Sequence, residues 1–339
     1  MSVKFWYLVE DLLIMKNFKV RYCTLFMACA AVAVGSTVGS GATLSLDHKG
    51  RISSDLANEL VPVWSGDAFV SILSNQTASP TIISFDAHGN QLQPLVFTVP
   101  GSRVVDVNGW ARGSDGNTVV CGQAYDDQGR GAGFISIVTQ SQGARTIRVN
   151  PHVPYRCALD AEGGIWSVGL ELINGVEHAK GVDFSHGVLR HYDSTGKLMA
   201  SFVPRQTLTK MSVATWGFLS TARDRVGWYS GPMSGPGSHY TEVSSSGEVR
   251  EYADIPLGAH EGVTGLALTD DGSTFVSTWD NSNRTWRLFQ LGGTTSVWSP
   301  TQIPADLANQ KWLSIYGGSG ESVALQEDRF AFVTLKVAR

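Results

Sequence analysis

Charge is scarce in this chain: Asp, Glu, Lys and Arg make up 17% of its 339 residues, and the formal net charge is −4. With mild acidity, no basic stripe and no interleaving of aromatic and basic residues, phosphates have nowhere to bind, which excludes nucleic acid as a partner. Cysteine is scarcer still, at four residues. Only Cys121 and Cys157 lie beyond the first 42 positions, too few and too far apart for a zinc cluster. There is no Gly-x-Ser-x-Gly elbow and no glycine-rich phosphate loop, so neither a serine hydrolase nor a nucleotide-binding motif is legible. The apolar stretch from Cys23 to Gly35 has 13 residues, fewer than the roughly 20 a membrane-spanning helix needs.

That stretch has a different meaning. Lys16, Lys19 and Arg21 precede it, and small residues follow it up to Ala42. The order of basic, apolar and small segments is that of a cleaved signal peptide over residues 1–42, with an uncleaved anchor or a lipid on Cys29 as alternatives. Met15 directly precedes the basic run, so residues 1–14 read as an over-extended gene start. The expectation is a periplasmic or secreted protein, or one anchored at a membrane through its N-terminal segment, with no span in the mature chain. Removing residues 1–42 shifts the formal charge to −6.

What the chain has in quantity is glycine (37) and tryptophan (10). Both suit many short strands joined by tight turns. Five segments share strand-like residues on either side of a glycine turn: FDAHGNQL (85–92), VTQSQGARTI (138–147), HYDSTGKLMASF (191–202), EVSSSGEVREY (242–252) and FQLGGTTSVW (289–298). Their glycines, at 89, 143, 196, 247 and 292, are spaced by 54, 53, 51 and 45 residues. A second series, VWSGDAFV (63–70), RGSDGNTVV (112–120), LDAEGGIWSV (159–168), STARDRVGWYS (220–230) and LTDDGSTFVS (268–277), interleaves with the first. Each unit therefore holds two hairpins, or four antiparallel strands, which is the size of a propeller blade.

After five such units, the terminal piece 312–337 supplies about three strands. Residues 43–56 (TLSLDHKGRISSDL) read as strand, turn, strand and can supply the missing outer strand, closing the ring and removing its open edges. The fold predicted is an all-β, six-bladed β-propeller over residues 43–339 as a single domain. Trp166 and Trp228 are expected to wedge between blades. Cys121 and Cys157 fall on adjacent blades and are read as two buried thiols, a bridge between them being the alternative.

The run DAEGGIWSVG (160–169) with GVLRHYDSTGKL (187–198) resembles the repeat of NHL-type six-bladed propellers, including virginiamycin B lyase-like ones. GVTGLALTDDGSTFVSTWDNSNRTWRLFQL (262–291) is similar to the gluconolactonase-like propellers, and ELVPVW (59–64) is similar to the opening of those enzymes. The resemblance implies the propeller fold and, for the lactonases, a divalent metal held by an Asn and an Asp. Here Thr264 stands at the Asn, Thr278 or Asp280 falls near the Asp, and Val61 replaces a glycine in the opening motif. No metal site and no cofactor are expected.

Function in a propeller gathers where loops converge around the channel. The loops assigned to that face are 151–156, 171–186, 231–239, 257–263 and 278–285, and they contain His152, Arg156, His178, His186, His239, His260, Glu261, Trp279 and Asp280. The 16-residue loop 171–186 is longer than a hairpin needs, which marks it as a cap over that face. Arg156 offers a planar cationic fork, Trp279 a stacking surface, and His260 with Glu261 an acid-base pair. The candidate ligand-binding set is Arg156, His152, His260, Glu261, Trp279 and Asp280. The function expected is a monomeric binding or scaffold module for a peptide, glycan or small molecule. The alternative is a lyase or lactonase-like hydrolase with its site at the channel face.

Overall fold

The computed structural model describes residues 42–52, 62–141, 143–171, 188–202, 217–231, 235–237, 239–292, 296–328 and 331–338. Residues 1–41, which include nearly all of the segment read as a signal peptide, the loop 172–187 with His178 and His186, and residues 53–61 lie outside the described residues.

Strand composition already sorts the strands by position. Inner strands alternate, as in VVDVNGWAR, where every second residue is buried. Second strands such as TVVCGQAY are buried almost throughout, because a neighbouring sheet covers each face. Outer strands such as GARTIR and VRE are polar and mostly exposed.

These strands form six four-stranded antiparallel sheets, in the order of a six-bladed propeller. Blade 1 comprises β2 (Val63–Ser65), β3 (Ala68–Leu73), β4 (Thr81–Phe85) and β5 (Leu95–Val96). Blade 2 holds β6 (Val104–Arg112), β7 (Thr118–Tyr125), β8 (Gly131–Thr139) and β9 (Gly143–Arg148). In blade 3 are β10 (His152–Leu159), β11 (Ile165–Glu171), β12 (Val188–Tyr192) and β13 (Leu198–Phe202). Blade 4 runs through β14 (Phe218–Ala222), β15 (Arg225–Ser230), β16 (His239–Ser244) and β17 (Val249–Glu251). Blade 5 contains β18 (Glu261–Leu268), β19 (Thr274–Asp280), β20 (Thr285–Leu291) and β21 (Trp298–Pro300). Blade 6 joins β22 (Ser314–Ser319), β23 (Ser322–Gln326) and β24 (Ala331–Ala338) to β1 (Thr43–Arg51), which pairs with β24 from Thr43↔Ala338 to Arg51↔Ala331.

The ring therefore closes through the N-terminal strand, with one correction. Residues 43–51 are a single strand rather than strand, turn, strand. Gly50 is the reason: it lies opposite Phe332, where a side chain would collide with the aromatic ring, so its smallness serves packing and not a turn. The turn glycines at 89, 143, 196 and 247 do take positive φ, whereas in blade 5 Ser296 adopts φ 52° beyond Gly292. The segment 151–156 is also mostly strand, since β10 begins at His152, and Thr278–Asp280 end β19.

Neighbouring blades meet through backbone as well as side chains. β6, β10, β18 and β22 each carry a bulge at one place, after Val107, Pro154, Val263 and Ile315. At Gly109, just past one bulge, an added Cβ would sit 2.7 Å from the Arg156 Cα of the next blade; at Gly265 it would collide with the Ile315 carbonyl. Hydrogen bonds across these seams link residues one repeat apart: Ser65 Oγ to the Arg112 carbonyl (2.7 Å), the Leu268 N–H to Ser220 Oγ (3.1 Å) and Ser314 Oγ to the Thr264 carbonyl (3.1 Å). Trp166 and Trp228 are buried together between blades 3 and 4, the wedge role expected of them. Cys121 and Cys157 are free thiols in the core shared by blades 2 and 3. Burial, and then the neighbouring Cys121, raise the Cys157 thiol well above its ordinary range. Among the described residues no helix is long and apolar enough to cross a membrane.

Candidate functional site

The six candidate residues divide between two blades. His152 and Arg156 belong to β10 of blade 3. His152 is fully buried, with Nε2 3.0 Å from Ser167 Oγ, so the structure places it inside the blade and away from the rim. Burial, reinforced by the Arg190 charge, pushes its pKa down to about 3, which keeps the imidazole neutral. Arg156 sits where Gly109 and Gly265 stand in blades 2 and 5, directly after the bulge. Its guanidinium donates to the carbonyls of Asn108 (3.0 Å) and Tyr155 (2.8 Å), tying blade 3 to blade 2.

The other four residues meet at one end of blade 5. Glu261 opens β18 opposite Asp280, and only 2% of its surface is exposed. Its carboxylate accepts from Arg287 Nε (2.8 Å), a second Arg287 nitrogen, the Thr278 hydroxyl and the Gly258 N–H (3.0 Å). Burial alone would raise its pKa, but the bonds from Arg287, Gly258 and Thr278 outweigh that and hold the carboxyl below its ordinary 4.5. Arg287 also reaches the Pro256 carbonyl (3.2 Å) and lies 4.7 Å over the Phe289 ring. Glu261 is therefore a structural anion, fixing the linker between blades 4 and 5.

Asp280 is committed to its turn, accepting the N–H groups of Ser282 (2.8 Å) and Asn283 (3.1 Å) and the Asn283 side chain (2.8 Å). Those bonds, led by the Asn283 N–H, hold its pKa below 3.8. His260 is exposed in the adjacent turn, where its carbonyl accepts the Asn281 N–H at 3.1 Å.

Trp279 points to the opposite face of the sheet, in register with Gly262 and Trp286. There it packs against Trp312, with ring centroids 5.8 Å apart and planes inclined by 31°. Trp312 keeps 48% of its surface in solvent. Beside it, a groove of about 520 Å³ runs along the start of β20, lined by Arg284, Thr285, Trp286, Thr301, Gln310 and Lys311. Trp286 Nε1 donates to the Gln310 carbonyl (2.9 Å), holding the loop before β22 against the blade. Arg284 and Lys311 are exposed, and neither pairs with a carboxylate among the described residues. Sequence reasoning missed Trp312, Arg284 and Lys311. The signal available was their position on the β19–β20 turn, within the loop 278–285, and on the segment leading into β22.

Among the described residues, those at the compared positions do not fit the metal of the lactonase-like propellers. Thr264, at the Asn position, bonds Ser277 Oγ at 2.9 Å, and Ser277 Oγ in turn accepts the Ile315 N–H, so the pair stitches blade 5 to blade 6. Asp280 is spent on its turn. Among the described residues no three His, Cys, Asp or Glu side chains converge on one point.

No protein-family model matches this chain, and no curated protein does. Solved structures match it as folds. A protein described as a gluconolactonase is 12% identical with a TM-score of 0.47, covering 88% of this chain and 93% of its own. The puromycin hydrolase S511A mutant complexed with PGG is 14% identical with a TM-score of 0.45, covering 76% of this chain and 42% of its own. The GH43_1 enzyme from Xanthomonas citri, complexed with xylose, is 13% identical with a TM-score of 0.41, covering 76% and 92%. At these identities the likeness extends to the fold alone.

Proposed function

We propose that the protein is an exported binding module whose ligand, an acidic glycan, seats on the rim of blade 5. The observation that carries this reading is half-exposed Trp312, packed at a tilt against Trp279 beside a groove bearing Arg284 and Lys311. An indole face suits the apolar face of a sugar ring, and two exposed cations suit its carboxylate or sulfate. By contrast, His152 and Glu261 are enclosed and bonded within the fold, which leaves exposed His260 without the carboxylate half of its acid-base pair and supports binding over turnover.

Titrating the protein with oligogalacturonate while following tryptophan fluorescence tests the site. Trp312→Ala, and separately Arg284→Ala with Lys311→Ala, should weaken binding about tenfold or more; the Arg284 and Lys311 changes should leave stability within about 0.5 kcal/mol because those side chains are exposed, whereas Trp312→Ala also loses its packing on Trp279. Undiminished binding in both variants would overturn the assignment. Export rests on the basic, apolar and small order before residue 43. Intact-mass analysis of the exported protein should find a chain beginning near residue 43, and retention of residues 15–42 would sink that reading.

A further inference from the structure

Away from the blade 5 rim, two histidines from different blades converge at the seam where the ring closes. His48 lies on β1 of blade 6, and His88 lies in the turn between β4 and β5 of blade 1. His88 Nδ1 is 3.2 Å from His48 Nε2, with the rings 4.5 Å apart and nearly perpendicular at 85°. Backbone, not the contact between the rings, holds them there. The Asp86 carboxylate accepts the N–H groups of His88 (2.8 Å) and Asn90 (2.9 Å), which fixes the turn. Gly89, at φ 86°, lets the turn lie on β1, since a side chain there would collide with the Arg51 carbonyl. On the other side, β1 is held by its ladder to β24, with His48 in register with Thr334.

We infer that His48 and His88 form a two-histidine site for a borderline divalent transition-metal ion, taken up through His48 Nε2 and His88 Nδ1. Metal–nitrogen bonds of about 2.0–2.1 Å place two imidazole nitrogens about 2.9 Å apart at a square-planar corner and about 3.3 Å apart at a tetrahedral one. The 3.2 Å separation fits that interval, so an ion enters without a backbone shift. Each ring then carries its proton on the other nitrogen, His48 on Nδ1 and His88 on Nε2. The nearby carboxylates are otherwise engaged: Asp86 holds its own turn, and Asp47 pairs with Lys336 at 3.3 Å. Water completes the coordination, so Cu²⁺ binds ahead of Zn²⁺, as expected of a nitrogen site. Because the two ligands come from blades 6 and 1, the ion clips the closing strand to the first blade and stabilises the folded ring by mass action.

The test uses the untagged full chain titrated with Cu²⁺, and with Zn²⁺ in parallel. The expected result is one Cu²⁺ bound, with an electron paramagnetic resonance spectrum showing coupling to two imidazole nitrogens. His48→Gln and His88→Gln should each weaken binding by roughly tenfold or more, and the double variant should lose the two-nitrogen signature. A tenfold excess of metal over its Kd should raise the thermal midpoint of the parent protein by roughly 2 °C and that of the double variant not at all. Failure of Cu²⁺ to bind, or a two-nitrogen spectrum that survives in the double variant, would overturn the proposal. His88 is exposed and His48 partly buried, and an unchanged metal-free midpoint verifies that both variants fold.

Discussion

Blades 3 and 5 start from the same strand and put it to different uses. Both β10 and β18 begin with a buried polar residue, His152 or Glu261, and both carry the bulge that brings the inner strand against the next blade. In blade 3 the polar residue is neutral and rests on Ser167, and the residue after the bulge is Arg156, which bonds back to blade 2. Blade 5 instead buries a charge with Arg287 as its partner, and Gly265 after the bulge lets β18 touch β22 backbone to backbone. One scaffold position can thus be filled by desolvating a weak base or by neutralising an acid; both choices lower the folded pKa, so both lose stability as pH falls, but in different pH windows.

The largest effect that would separate them is proton linkage. His152 has a folded pKa of about 3 against an ordinary 6.5, so its contribution is complete above pH 6.5 and is lost as pH falls towards 3, at about 1.4 kcal/mol per pH unit. Glu261 is depressed below 4.5, so its contribution is present above that pH and is lost only as pH falls through its lower folded value. Denaturant unfolding as a function of pH should show His152→Gln flattening the profile between pH 6.5 and 4.5. Glu261→Gln should keep that slope and change the profile only below pH 4.5. Identical profiles for the two variants would erase the contrast between the blades.

The seam itself gives a smaller effect. Gly265→Ala forces a methyl group onto the Ile315 carbonyl and should cost about 3 kcal/mol, as overpacking against backbone does. Arg156→Ala, at the equivalent place in blade 3, removes partly exposed bonds to two carbonyls and should cost about 1 kcal/mol. Equal losses in chemical denaturation would mean that the two seams are packed alike.

Much of the architecture was legible because its signals are local. The turn glycines and the Asp residues that brace them, such as Asp86 and Asp193, act within four residues of themselves, so the hairpins and their spacing could be read directly. Gly50 misled because its reason is Phe332, which lies in the last strand of the chain. The candidate site was legible in part for a related cause. His260, Glu261, Trp279 and Asp280 do gather at one end of blade 5, but residue type could not tell that Glu261 would be sealed by Arg287 or that Trp312 would stay in solvent.

By itself, the sequence determined that this chain makes six repeats of two hairpins and that its two ends share a blade, since strand reversal and strand pairing follow from short patterns. Tertiary structure alone decided which polar side chains face the interior. A middle strand of a blade is covered on both faces, so alternation along it no longer distinguishes inside from outside. His152 and Glu261 find Ser167 and Arg287 on other strands of their own blades, whereas the partners of Arg156 and Ser314, Asn108 and Thr264, sit on a neighbouring blade about one repeat away. The pairings between blades exist only once the ring has closed.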